Sequence, residues 1–323
     1  MYTIDDIQIF VTTHNRASLL KETLQSILVQ TAPIKSITVL DNESTDNTAE
    51  IVLQLKDKGV HYVPTTGFLG NFKKAQELVN RPYCMLFHDD DLLHPTYLEN
   101  VLKAINSYPN VSMVTCSYTG FINGKYPTIS PTVSPYHIFF TCPKDWAVYM
   151  YFCEGISYAP AVYRTTTLLN LTLDFNTYHK WYDWPLLAEA AQRGNIVYFS
   201  TPHFMFTRLH KGQATNDSSW PTVQQIVNWD KCFYQLMGAD NRLSLIHYLY
   251  GWHNKHFLLG KLNIGKKINN KIYTYAALRE CCKKENLPTW NFNTKPLQWL
   301  FLPFLKHLER RFTSQITNSW PTK

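Results

Sequence analysis

The stretch IQIFVTTHNRASLLKETLQSILVQ, residues 7–30, decides the fold. Its first six residues, IQIFVT (7–12), form a short β-rich run, and LLKETLQSILVQ (19–30) sets Leu20, Leu24, Ile27 and Leu28 on one helical face. The same pattern then repeats. SITVLD (36–41) reads as a second strand, and NESTDNTAEIVLQLKDK (42–58) opens with capping residues and runs into a helix. VHYV (60–63) is a third strand, NFKKAQELV (71–79) a helix, and YCMLFH (83–88), apolar throughout, a fourth strand. A helix from Pro95 to Ser107 and the strand VSMVTCSY (111–118) follow. Alternation over such short connections predicts an α/β fold, a mostly parallel Rossmann-like sheet flanked by helices.

Beyond that unit the pattern loosens. Prolines 127, 131, 135 and 143 make 119–145 an irregular connection over the surface or across a site. WYDWPLLAEAAQRG (181–194) carries Leu186, Leu187, Ala190 and Ala191 on a helical stripe that stops at Arg193–Gly194, and NIVYFS (195–200) is a strand. From about residue 222 onward the chain reads as amphipathic helix, without strand alternation and without repeats.

Of the 323 residues 45% are hydrophobic and 17% charged, enough to bury a sizeable core and too apolar for general disorder. The 15% aromatic share suits ordinary packing, with stacking against sugars or bases as a second use. Charge is unevenly placed. Residues 231–323 hold 15 Lys and Arg against 4 Asp and Glu, so the excess of +7 belongs to the C-terminal segment and the rest is slightly acidic. A basic, aromatic segment fits an anionic partner such as a membrane surface or a lipid-linked phosphate, or else a solvated helical face. Seven cysteines without a CxxC pair, and an N-terminus without a basic start and apolar run, predict reduced thiols in a cytoplasm. The best apolar run, PLQWLFLPFL (296–305), is half the length a bilayer span needs.

Open sheets of this kind bind ligands at the carboxyl ends of their strands. That rule collects Thr12, Thr13, Asn15 and Arg16 after the first strand, Asp41 and Asn42 after the second, and Asp89, Asp90 and Asp91 after the fourth. In LFHDDDLLHP (86–95) three adjacent like charges need a positive partner or open water. A divalent cation is one answer, because Mg²⁺ and Mn²⁺ favour hard oxygen ligands; a solvated turn in which Asp91 caps the next helix is the other. No GxGxxG or GxxxxGK[ST] follows the first strand, where TTHNRASLL (12–20) stands. Phosphate charge, if bound here, must be met by something other than a glycine-rich loop.

In this order and spacing, IFVTTHNRASLLKETLQSILVQT (9–31), SITVLDNESTDNT (36–48), GFLGNF (67–72), MLFHDDDLLHPTYLENVL (85–102) and YDWPLLAEAAQRG (182–194) resemble a family 2 glycosyltransferase of GT-A fold. The likeness covers roughly residues 6–212, and the GFLGNF piece with the crowded aspartates is most similar to the bacterial subgroup that builds surface polysaccharides. It implies a GT-A catalytic domain over 1–221, with a donor half 1–118 and an acceptor half 119–221, and a helical, basic extension over 222–323. It also implies inverting transfer from a nucleoside-diphosphate sugar, of UDP-hexose or dTDP-rhamnose type, to a hydroxyl of a glycan or lipid-linked glycan acceptor, with Mn²⁺ or Mg²⁺ as cofactor.

Residue by residue, the resemblance assigns Thr12, Thr13 and Arg16 to the nucleotide and Asp41–Asn42 to uracil or ribose. The family's DxD-like signature falls on His88–Asp91, which assigns Asp90 to the metal with Asp91 beside it, and Asp89 to the nucleotide side. Asp183 matches the general base that accepts the acceptor's proton, although Tyr182 stands where the family has Glu. FTRLHKGQAT (206–215) matches an Arg-x-His segment over the diphosphate, which implicates Arg208 as a cation and His210 as a metal ligand; Arg164 matches the acceptor side. Nucleotidyl transfer on a similar sheet and catalytically silent binding of sugar nucleotides are the rival readings. KPLQWLFLPFLKHLERRF (295–312) suits peripheral contact with the inner face of a membrane, or packing on the catalytic domain or on a second copy of the chain. A nucleic-acid partner is not expected.

Overall fold

The computed structural model describes residues 1–321 except 68, 123, 129–134, 153–155, 157, 202, 211, 214–220, 239–266, 269–270, 273–274 and 288–297. Its first half is built from β1 (Ile7–Thr13), α1 (Ala17–Leu28), β2 (Ile37–Asn42), α2 (Thr48–Gln54), β3 (Val60–Thr65), α3 (Gly70–Leu78), β4 (Tyr83–His88), β5 (Leu92–Leu93), α4 (Tyr97–Ser107) and β6 (Val111–Cys116). There follow β7 (Tyr118–Ile122), β8 (Tyr136–Phe140), α5 (Pro143–Phe152), β9 (Val162–Arg164), α6 (Thr165–Leu168), α7 (Phe175–Tyr178), α8 (Asp183–Ala190), β10 (Asn195–Thr201), β11 (Met205–Leu209) and α9 (Val223–Met237).

Eight strands form one sheet in the order β3-β2-β1-β4-β9-β6-β10-β8. The β3-β2-β1-β4 half is parallel throughout, as is the β6–β10 pair; β9 and β8 run antiparallel to their neighbours. The period of two in β1 explains how the sheet is covered. Ile7, Ile9 and Val11 join an apolar cluster with α1 and α4, whereas Phe10 joins a second cluster with α5 and α8. Residues 83–87 of β4 are all buried, as expected for a parallel strand covered on both faces. Where α8 returns to the sheet, Gly194 has φ +156°, and a Cβ there would stand 2.6 Å from the Asn110 carbonyl oxygen.

Two expectations need correction. The 119–145 connection is not wholly irregular, because 118–122 and 136–140 are strands and α5 begins at Pro143. Strand β7 pairs with β11, which pairs with β5, in a small second sheet at the mouth of the large one. Nor is the chain beyond 222 free of strands: Lys267–Ile268 pairs antiparallel with Lys271–Ile272.

The helix Gln298–Thr313 buries Leu308 and Phe312 in the main core, with the Phe312 ring 5.1 Å from that of Tyr149 on α5. Arg311 pairs with Asp145 at 2.8 Å. Farther on, Thr317 bridges His137 of β8, and the Trp320 ring stacks on that histidine at 4.3 Å. This end of the helix therefore packs on the α/β fold. The side chains of Trp299, Phe301, Leu302, Phe304 and Leu305, which suggested a membrane face, lie outside the described residues. No helix among the described residues is long and apolar enough to cross a membrane.

Candidate active site

Strand order sets the site. At β1 the sheet's order reverses, with β2 on one side and β4 on the other, so their carboxyl ends open into a crevice. Parallel register places Thr12 beside His88 and Thr13 beside Asp41. The turn after β1 needs no glycine: Asn15 takes the left-handed conformation at φ 51° and accepts a hydrogen bond from the Thr45 amide at 2.7 Å. Asp41 is buried and accepts bonds from the Ser44 hydroxyl and from Tyr62 Oη at 2.7 Å. Among the described residues, the buried Asn42 Oδ1 has no hydrogen-bond partner.

The aspartates are buried, so water does not repay their repulsion. Asp89 accepts from Thr13 Oγ1 at 2.7 Å and from Arg16 Nη1 at 3.0 Å; the same Nη1 reaches Asp90 at 2.8 Å. Arg16 Nη2 donates to the Gly212 carbonyl at 2.6 Å, and His210 Nε2 stands 3.1 Å from Asp90. Burial pushes the Asp89 carboxyl up, opposed by Arg16. Burial raises Asp90 as well, but His88, Arg16 and His210 together hold it below the usual carboxylate range. Asp91 is pushed up to about 8 by burial and by the Asp90 charge. Arg16 faces three acids, with Arg208 buried behind them. His88, Asp90 and Asp91 each offer a ligand atom within 4.8 Å of the others. That oxygen-rich set, with one carboxyl raised by burial and by its neighbour's charge, fits a hard divalent cation.

Asp183 opens α8 and accepts its neighbour's amide, Trp184 N, at 2.9 Å. The surrounding protein raises its carboxyl to about 6 by desolvation, with these amides pulling the other way. Its charge reaches Tyr158, whose ring lies 6.0 Å from that of His88.

The structure thus brings together Thr12, Thr13, Arg16, Asp41, Asn42, Asp89, Asp90, Asp91 and His210 at one set of strand ends. Two predicted residues do not present their side chains to the open crevice. Arg164 pairs with Tyr83 at the opposite end of β4 and donates to Asn110 at 2.8 Å, which removes it from the crevice. Arg208 is fully buried, with Nη2 on Glu22 at 2.8 Å and Nε on the Asp90 carbonyl at 2.9 Å, so its guanidinium turns inward rather than over a diphosphate. Sequence reading did not single out Ser44, Tyr62, Tyr158 or Glu22. A serine three residues after Asp41 is a local turn signal that could have been used; the other three are joined to the site only by the tertiary fold.

A mostly parallel sheet with acids gathered at its reversal point and a small second sheet beside it is the architecture of the GT-A fold. Residues 8–160 match the family model described as Glycosyl transferase family 2, and the chain is a glycosyltransferase. No curated protein matches the sequence. Among solved structures, residues 1–349 of S. aureus TarS share the fold with a TM-score of 0.60 at 16% identity, over 96% of this chain and 88% of that one. The same TarS fragment crystallised with UDP-GlcNAc gives 0.62 at 16% identity and the same coverage. This chain spans 53% of a longer TarS structure.

Proposed function

We propose that the protein is an inverting, divalent-metal-dependent glycosyltransferase that moves a sugar from a nucleoside-diphosphate donor to a hydroxyl of a cell-surface glycan acceptor. The observation that carries this reading is the grouping of His88, Asp90 and Asp91 beside Arg16 at the strand ends. Asp41, held by Tyr62 and Ser44, with Asn42 beside it, supports the nucleoside end of the donor site. Mn²⁺ or Mg²⁺ bound by Asp90 and Asp91 with His88 or His210 supplies stabilisation of the negative charge that grows on the leaving diphosphate. Arg16 orients Asp89 and Asp90 and favours their ionised forms. Asp183, ionised above about pH 6, takes the proton of the attacking hydroxyl, and attack from the face opposite the diphosphate inverts the anomeric carbon. The likeness to a UDP-GlcNAc-bound TarS supports a uridine nucleotide as the first donor to try.

The same reading takes 222–323 as a helical extension of a catalytic domain over 1–221, working at the cytoplasmic face of a membrane. The exposed Lys306, His307, Arg310 and Arg311 give the helix Gln298–Thr313 a basic outer face suited to an anionic lipid surface or a lipid-linked acceptor. Incubation with Mn²⁺ and a panel of UDP-, dTDP- and GDP-sugars tests the chemistry. Slow release of nucleoside diphosphate is expected; release of pyrophosphate, or binding without turnover, contradicts it.

A further inference from the structure

Arg208 presents a problem that its neighbours solve. A guanidinium with no exposed surface sits directly behind three buried aspartates, close enough that its backbone N–H donates to Asp91 Oδ1 at 3.0 Å and its Nε to the Asp90 carbonyl at 2.9 Å. A guanidinium so placed could turn its charge onto the Asp91 side chain. Were it to do so, the carboxylate would be spent on an internal ion pair and lost to a metal. Instead Nη2 is held by Glu22 on α1 at 2.8 Å. Tyr126 Oη donates to the same Glu22 oxygen, Oε2, at 2.8 Å, and the Phe121 ring lies 4.8 Å from the guanidinium carbon. On the far side of the aspartates, Thr23, next to Glu22 on α1, donates its hydroxyl to the Asp91 carbonyl at 2.8 Å. One helical turn therefore grips both the aspartate backbone and the cation behind it.

We propose that Glu22 is a positioning residue: it serves as a counter-ion of Arg208 and thereby keeps that guanidinium from pairing with the Asp91 carboxylate, which is left to a divalent cation. The inference rests on the metal-dependent reading above. Glu22 touches no substrate; it acts through Arg208. Its one-third exposed side chain lets water share the charge, so Glu22 binds Arg208 without adding a fourth buried acid to the crevice.

The test is calorimetric titration of Mn²⁺ in the presence of UDP into the wild-type chain, Glu22→Gln and Glu22→Asp, with thermal melting of each. Glu22→Gln keeps shape and hydrogen bonding but removes the charge. Its Mn²⁺ affinity is expected to fall about tenfold, the lower end of what loss of an outer partner of a metal ligand does. Glu22→Asp, which keeps the charge on a shorter arm, is expected to recover most of that loss. Wild-type affinity in Glu22→Gln, with or without a lowered melting temperature, makes the residue merely structural and overturns the inference while the metal reading stands. A wild-type chain that ignores Mn²⁺ overturns both.

Discussion

Two acidic regions of the molecule, the crevice at the end of β4 and the start of α8, solve opposite problems with the same side chain. In the crevice three aspartates are packed with Arg16, His210 and His88, and adjacent residues diverge: Asp90 is held below the ordinary range while Asp91 is pushed up to about 8. At α8 a single aspartate has, among the described residues, no cation in the set of groups that shift it, only backbone amides, and burial leaves it at about 6. The first arrangement concentrates negative charge that invites a cation. The second leaves a lone carboxylate poised to take and release a proton near neutral pH.

Substitutions that remove charge from one region and spare the other break this comparison most sharply. Asp183→Asn, isosteric and unable to accept the proton, is expected to lower kcat by about 10²- to 10⁴-fold with donor binding intact, read by steady-state rates and by UDP titration. Unchanged turnover removes Asp183 from the chemistry. Asp90→Ala is expected to weaken Mn²⁺-dependent donor binding by about a hundredfold or more, because loss of even an outer partner costs about ten- to a hundredfold. Arg16→Lys keeps the charge but cannot hold Asp89, Asp90 and the Gly212 carbonyl together, and a loss of about 1.5 kcal/mol, roughly tenfold in donor affinity, is expected.

The smallest effect is in pH. Because the Asp183 carboxyl is raised to about 6, its active, deprotonated form is depleted as pH falls through that value. The rate at saturating donor and Mn²⁺ is therefore expected to rise with pH between 5 and 7 with an inflection near 6, and to flatten above it. A profile flat down to pH 5 assigns the proton to another group.

Much of the donor side was legible from local pattern. A run such as YCMLFH, apolar at every position and ending in three acids, can only be a central strand delivering its carboxyl end to a crevice, and register then brings Thr12 and Thr13 alongside. What failed to show was long-range. The strand β9 has three residues and slots antiparallel between β4 and β6, a placement no short pattern encodes, and it carried Arg164 to the wrong end of the sheet. The prolines between 127 and 143 hid strands 118–122 and 136–140, because a proline signals a break in pairing but not how much strand lies on either side. Arg208 read as a free cation because its counter-ion, Glu22, lies 186 residues away in sequence.

The central claim is that the β4 aspartates grip a divalent cation and, through it, a nucleoside diphosphate. Titrating Mn²⁺ with UDP into the wild-type chain and into Asp90→Ala tests it most directly. The account predicts that UDP binding requires Mn²⁺ in the wild type and is lost in the variant; equal UDP binding with and without Mn²⁺, unchanged by Asp90→Ala, contradicts it.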